Sequence, residues 1–162
     1  MLDVDFYHRF AAYDYMLIYQ LDAYVFRDDL IHWCEQGYDY IGAPWMKFDF
    51  LRNKMHILEA GLNGGFSLKK ISSFIDVLEN KSGKKEVLAK FIKGGRNEDG
   101  FFSSHAMEIK PSFKVAPYNI AMKFSFERRP EKLYKMTHGK LPFGCHAWHK
   151  YNPAFWKQFI HI

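Results

Sequence analysis

The sequence predicts an α/β fold with a mixed, mostly parallel sheet. Residues 15–19 form an apolar run typical of a strand buried on both faces, as in a parallel sheet. Residues 27–36 have the spacing of a short helix, and residues 38–43 form a second apolar segment that Pro44 ends. A strand, a helix and a strand in this order predict a right-handed βαβ unit.

The flanking elements follow from similar spacing. The first fourteen residues are interpreted as a helix that places Phe6, Phe10 and Tyr13 on one face. Residues 45–60 mix Met, Phe and Lys without a clear period, and we interpret them as a loop over the site. Alternation in residues 66–68 predicts a strand.

Two helices are predicted in the middle of the chain. Each has an apolar face at helical spacing, formed by Ile71, Phe74, Ile75 and Leu78 in the first and by Val87, Leu88, Phe91 and Ile92 in the second. Gly94-Gly95 ends the second helix.

Towards the C-terminus, residues 113–116 fit a strand, residues 127–140 are polar and are interpreted as loop-rich, and Asn152-Pro153 opens a final helix. We find no internal repeat or linker, so residues 1–162 are predicted to form a single domain.

The composition is that of a globular chain with a net charge of +5. From Lys69 to Arg96 there are eight basic and three acidic residues. This excess fits an anionic ligand, an anionic membrane surface or a solvated helix face, and we favour the last for most of these lysines. Nucleic-acid binding ranks lowest, because no known motif accompanies the charge.

Compartment is inferred from three features. Cys34 and Cys145 lack the spacing of a zinc or redox motif and are interpreted as reduced thiols. We find no apolar run long enough to span a membrane and no signal peptide. The expected location is therefore cytoplasmic, with peripheral contact to the inner face of the membrane as an option.

Four places hold residues suited to chemistry. Asp22 stands where the first strand ends, which is where α/β sheets bind ligands, although an aspartate that caps the next helix is an equal alternative. Asn63-Gly64-Gly65 allows close approach to a ligand, or forms a turn. Glu98 and Asp99 suit a general base, or the first turn of a helix. His146 is a candidate metal ligand or a hydrogen-bonded structural histidine.

Six segments together resemble a bacterial family of glycosyltransferase-like domains, which is similar to nucleotide-sugar transferases of the GT-A fold. The segments are Tyr19–Phe26, Tyr40–Trp45, Asn63–Leu68, Asn97–Phe102, Phe124–Glu127 and Leu141–Trp148. The resemblance runs from about Phe6 to Trp156. It implies a truncated GT-A (Rossmann-like) three-layer α/β/α sheet, without the nucleotide-binding portion that precedes the Asp-x-Asp strand in that fold.

The resemblance also implies roles for the metal and donor residues. Gln20 and Asp22 match the Asp-x-Asp motif, so Asp22 and His146 are implied to bind Mn²⁺ or Mg²⁺. Gln20, which replaces the first aspartate, is implied to contact the donor, together with Asn63, Gly64 and Gly65.

The acceptor side is implied in the same way. Glu98 and Asp99 match the acidic pair that holds the acceptor, with Asp99 favoured as the base. Trp45 and Trp148 are candidates for stacking on a sugar.

The implied activity is metal-assisted transfer of a sugar from a nucleotide-sugar donor to a carbohydrate or glycolipid hydroxyl. The alternative is an inactive remnant that binds sugar or acts as an interaction module. Loss of the first strands would leave an open sheet edge, which favours self-association.

Overall fold

The strands form two three-stranded sheets in the computed structural model, which describes residues 2–49, 54–80, 86, 87, 89, 91 and 97–161, with side chains described outside 47–60. The strands are β1 (Tyr15–Tyr19), β2 (Tyr24–Val25), β3 (Tyr40–Asp49), β4 (Lys54–Lys70), β5 (Ser125–Phe126) and β6 (Gly144–Cys145). The first sheet has the order β1-β4-β3 and the second has the order β2-β6-β5.

The predicted mostly parallel, Rossmann-like sheet is wrong. All pairs in the first sheet are antiparallel, with Tyr15 opposite Lys70 and Tyr40 opposite Lys69. Strands β1 and β3 run in the same direction, as predicted, but β4 lies between them and pairs with both. The prediction failed because residues 45–60 were interpreted as a loop, whereas β3 continues to Asp49 and β4 begins at Lys54.

The second sheet contains a parallel pair. Strand β2 pairs antiparallel with β6, and β5 runs parallel to β6, with Ser125 opposite Gly144. Residues that directly follow β5 and β6 therefore lie at the same edge of this sheet.

Eight helices have defined bounds in the described part of the chain. They are α1 (Val4–His8), α2 (Leu30–Glu35), α3 (Ile71–Glu79), α4 (Glu98–Ser104), α5 (Ala106–Ile109), α6 (Tyr118–Phe124), α7 (Pro130–Met136) and α8 (Pro153–Trp156). None of the helices among the described residues is long and apolar enough to cross a membrane.

Several sequence predictions for these helices are confirmed. Helix α3 buries Phe74 and Leu78, and Asn152 caps α8 by accepting a hydrogen bond from the Phe155 N–H. Val87 and Phe91 are helical and buried, whereas Leu88, Ile92 and Gly94-Gly95 lie outside the described residues.

Other predictions for the elements are wrong. Helix α1 ends at His8, and Tyr13 is exposed rather than on a buried face. Residues 113–116 contribute an isolated bridge between Val115 and Tyr40 instead of a strand. Residues 130–136, predicted as loop, form α7, which Pro130 begins. Proline suits the first turn because its missing N–H has no intrahelical partner there.

Aromatic rings fill much of the core between the first sheet and the helices. Phe74 is fully buried and its ring lies 4.1 Å from that of Phe102 and 5.2 Å from that of Tyr7, measured between centroids. A second cluster surrounds Trp156, where the second sheet meets α7 and α8. The high aromatic content is therefore explained mainly by packing.

Lys69 is the unexpected member of this core. It is 0% exposed, and its Nζ lies 5.3 Å from the centroid of Phe74 and 5.8 Å from that of Tyr40. This Nζ has no hydrogen-bond partner among the described residues. Burial lowers the pKa of Lys69 to about 8, which the nearby Glu98 and Asp99 carboxylates partly oppose. The interpretation as a solvated helix face is therefore wrong for Lys69.

We expect Lys69→Met to remove a pH dependence of stability. Below about pH 8 the amine is charged in both the folded and the unfolded chain, and the difference between 10.5 and about 8 corresponds to a cost of about 3 kcal/mol. Between these values the unfolded chain binds more protons, so the stability of the wild type rises with pH. Urea unfolding of both proteins from pH 7 to pH 10 measures this change.

Across that window, the free energy of unfolding of the wild type should rise relative to that of Lys69→Met. The exposed control Lys114→Met should differ from the wild type by the same amount at every pH. A constant difference for Lys69→Met as well would contradict the burial of a charged amine.

Candidate functional site

Asp22 and His146 come together although they lie far apart in the sequence. Gln20, Leu21 and Asp22 form the turn after β1, which the Gln20 N–H fixes by donating to the Gly65 carbonyl at 3.1 Å. The antiparallel pairing of β2 with β6 brings His146 to this turn. Asp22 Oδ1 lies 3.2 Å from His146 Nε2, and Gln20 Oε1 lies 2.8 Å from the same nitrogen.

Glu127 completes this group from the neighbouring strand. Glu127 and His146 directly follow the parallel strands β5 and β6, so their side chains lie at one sheet edge. Glu127 Oε1 is 3.7 Å from His146 Nδ1, and both residues are buried. The segment Phe124–Glu127 is one of the six that carry the family resemblance, but no role for Glu127 was predicted from the sequence. The signal was available, because Glu127 follows an apolar run at a strand end, as Asp22 does.

Gly65 allows the histidine to reach this position. A Cβ at Gly65 would collide with the His146 ring and would lie 2.8 Å from Gln20 Oε1. Any larger residue would therefore push the imidazole away from β4. At Gly65, the close backbone approach that a glycine allows is made by the His146 and Gln20 side chains.

Asp99 is held by two backbone N–H groups. Gly100 donates to Oδ1 at 2.9 Å and Gly64 donates to Oδ2 at 3.3 Å. Asp99 is 8% exposed, and burial raises its pKa, opposed by the Gly100 hydrogen bond and supported by the Glu98 charge. Because Gly64 donates to Asp99, the glycine segment and α4 form one unit, and within that segment Asn63 accepts a hydrogen bond from the Gly65 N–H.

A cavity of about 270 Å³ opens over this unit. Its described walls are Pro44, Trp45, Met46, Asn63, Asn97, Asp99, Glu127 and Arg128. Glu127 both lines the cavity and lies beside His146, and so connects the cavity with the Asp22–His146 pair.

The two tryptophans differ in their position. Trp45 lines the cavity, and its ring lies against the backbone at Gly61, where a Cβ would collide with it. Trp148 packs at the edge of the Trp156 cluster and is not among the described walls of the cavity. Glu98 is also outside those walls, although its carboxylate lies close to Gly64.

The Asp22–His146 pair fits a divalent cation in spacing. Two ligands at adjacent positions of an octahedral Mg²⁺ lie about 3 Å apart, because each bond is about 2.0–2.1 Å long. The observed distance is 3.2 Å. His146 Nδ1 is buried and has no hydrogen-bond partner among the described residues. A ring that binds a cation through Nε2 carries its proton on Nδ1, where it faces Glu127, and histidines that bind metals commonly have such a carboxylate beside them.

The described residues contain no group of three or more His, Cys, Asp or Glu side chains arranged to hold a metal ion. Asp22 and His146 would therefore need other ligands, such as phosphate oxygens or water, to complete a coordination shell. The same contacts are compatible with a structural histidine, in which His146 carries its proton on Nε2 and donates it to Gln20 Oε1.

We expect Gly65→Ala and His146→Ala to be coupled in stability. The new methyl group collides with the imidazole, so Gly65→Ala alone should cost roughly 1–3 kcal/mol as an overpacked substitution. In the double variant the imidazole is absent and most of that cost should disappear. Urea unfolding of the four proteins in the cycle measures the coupling.

The matched control pairs Gly65→Ala with His32→Ala, which alters an exposed histidine on α2. This pair should be additive. If the His146 pair is additive as well, the close approach of the ring to Gly65 is refuted.

Comparison with known proteins gives a family without an activity. No curated protein and no solved structure matched the chain. Residues 1–146 match the family described as a protein of unknown function (DUF5672). The match extends from the first residue through His146 and so includes Asp22, Asp99 and Glu127. Because the match covers most of the length of the chain, the chain belongs to this DUF5672 family.

Proposed function

We propose that this chain is a glycosyltransferase-type domain that moves a sugar from a nucleotide-sugar donor to a hydroxyl acceptor with the help of Mn²⁺ or Mg²⁺. The proposal rests on the site rather than on the sheet, whose antiparallel order differs from that of a GT-A fold. The observation that carries it is the 3.2 Å approach of Asp22 to His146, joined through Glu127 to a cavity that contains Asp99.

In this proposal, the cation acts on the diphosphate of the nucleotide-sugar donor and has no role towards the acceptor. Asp22 and His146 would hold the cation, and Glu127 would orient the imidazole through Nδ1. When bound, the cation stabilises the negative charge that develops on a diphosphate leaving group.

Asp99 is the proposed general base. It lines the cavity, and its two backbone donors fix the direction of the carboxylate. Burial raises its pKa, which makes the carboxylate a stronger base towards an acceptor hydroxyl near neutral pH.

The size and lining of the cavity support a sugar-sized ligand. Its volume of about 270 Å³ lies just below the range common for small-molecule pockets, about 300–1,000 Å³. The described walls thus suit one sugar unit rather than a whole nucleotide sugar. Trp45 provides an aromatic face, and Asn63 and Asn97 provide amide groups.

A second candidate is a sugar-binding or interaction module without transfer. The contact between Gln20 and His146 favours it, because a hydrogen bond to Gln20 occupies the nitrogen that a cation would need. The two free cysteines, Cys34 and Cys145, agree with the reducing, cytoplasmic location proposed for either candidate.

Calorimetric titration with uridine and guanosine diphosphates, with and without Mn²⁺, tests the donor side. We expect Mn²⁺-dependent binding by the wild type. Asp22→Asn and His146→Gln should weaken it by at least the roughly 10–100-fold that loss of a residue orienting a metal ligand causes, because these two residues are the proposed ligands themselves. Asp28→Asn and His149→Gln are controls on exposed residues and should bind as the wild type does. No binding under either condition would refute the transferase proposal for this chain.

Assays of sugar transfer and donor hydrolysis test the role of Asp99. We expect Asp99→Asn to lower the rate by roughly 10²–10⁴-fold with unchanged diphosphate binding, because the base acts after the donor binds. The rate of the wild type should fall as pH decreases through the raised pKa of Asp99, starting above the ordinary range of an aspartate. Metal-dependent diphosphate binding without any transfer or hydrolysis would favour the second candidate.

A further inference from the structure

A second cavity lies at the opposite end of the β2–β6 pair from the Asp22–His146 pair. Beyond this end of the two strands, the Phe26 N–H donates to the Phe143 carbonyl at 2.9 Å. One residue further on, Arg27 Nη1 donates to the Leu141 carbonyl at 3.1 Å. The cavity opens beside this contact and has a volume of about 590 Å³. It is thus more than twice as large as the first cavity and shares no lining residue with it.

The polar part of this cavity is basic. Arg27, Lys123, His138 and Lys140 line it, and no carboxylate is among its described lining residues. Asp29 pairs with Arg27 and partly neutralises it. Lys123 and Lys140 form no ion pair with another described residue. Two unpaired ammonium groups in one concavity, beside a guanidinium and an imidazole, favour an anion.

The segment that carries His138 and Lys140 is fixed by its own hydrogen bonds. Thr137 Oγ1 donates to the Lys140 carbonyl at 2.6 Å, and the Gly139 N–H donates to the Tyr134 carbonyl at 2.8 Å. His138 and Gly139 have φ angles of 54° and 75°, in the left-handed region. A non-glycine residue in this region is strained, and the surrounding hydrogen bonds hold it there by offsetting the cost of the strain. The basic groups are therefore presented from a preorganised turn.

The remaining wall is largely apolar. Met122, Met136 and Leu141 line the cavity, and Met136 is 40% exposed. Methionine side chains are flexible and polarisable, so they adapt to alkyl chains of varying shape. No Phe, Tyr or Trp is among the described lining residues, which disfavours stacking of a nucleobase.

We propose that this cavity binds an anionic amphiphile, a phosphate monoester that carries an alkyl chain. The phosphate contacts Lys123 and Lys140, with Arg27 and His138 at its side. The chain lies along Met122, Met136 and Leu141. This inference does not depend on the proposed transferase function, because it uses other residues and a separate cavity.

Calorimetric titration of the wild-type chain with three probes tests the proposal. The probes are octyl phosphate below its micelle concentration, inorganic phosphate, and a neutral octyl tetraethylene glycol ether. We expect octyl phosphate to bind more tightly than either of the others, because it alone satisfies both parts of the cavity.

Paired variants assign the binding to this cavity. The double variant Lys123→Gln with Lys140→Gln should bind octyl phosphate roughly tenfold or more weakly than the wild type, since each substitution removes a charged hydrogen-bond donor. The control double variant Lys114→Gln with Lys157→Gln alters two exposed lysines elsewhere and should leave the affinity for octyl phosphate unchanged. Met136→Ser should weaken binding roughly three- to tenfold through lost apolar contact. Met107→Ser is its control, because Met107 is 49% exposed and does not line the cavity.

Equal affinity for octyl phosphate and either single-feature probe overturns the proposal, as does equal weakening by both lysine pairs. Thermal unfolding of each variant checks that the fold is retained.

Sedimentation with phosphatidylcholine vesicles that contain phosphatidic acid then distinguishes a membrane lipid from a free amphiphile as the source of the ligand. Co-sedimentation that the Lys123/Lys140 pair abolishes identifies a membrane lipid. Binding of octyl phosphate without co-sedimentation identifies a free amphiphile.

Discussion

The close contact between the His146 ring and the backbone of β4 at Gly65 is the constraint on which the candidate site depends. A side chain at position 65 would occupy the space that the imidazole fills. With the ring in place, Nε2 reaches the Gln20–Asp22 turn and Nδ1 faces Glu127. One histidine therefore joins the end of β1, the end of β5 and the central strand of the first sheet.

The same arrangement separates two chemical environments along one short pair of strands. At one end of β2 and β6 lie carboxylates, an imidazole and a small polar cavity. At the other end lie lysines, an arginine and a larger cavity with methionine walls. Because β2 and β6 have only two residues each, the two environments are close in space while their lining residues remain distinct.

Much of the candidate site could be predicted from residue type and position. Asp22 was recognised because a carboxylate ends an apolar strand, and that logic does not depend on how the strands pair. Glu127 obeys the same rule and was missed because the apolar run before it is short and the following residues are polar. Lys69 was misassigned because it was grouped with the lysines of the helices that follow it, whereas its neighbours Tyr40 and Phe74 enclose it.

Local sequence indicated some of the elements, among them β1, α3 and α8, since hydrophobic period, proline and glycine act over a few residues. It placed Asp22 at a strand end and marked His146 as a candidate partner. Sheet order was decided by the tertiary structure, because β4 pairs with strands on both sides and its insertion between β1 and β3 is a long-range choice. The meeting of Asp22, Glu127 and His146 was decided in the same way. Their distances follow from strand pairings between segments far apart in the chain, which no local pattern encodes.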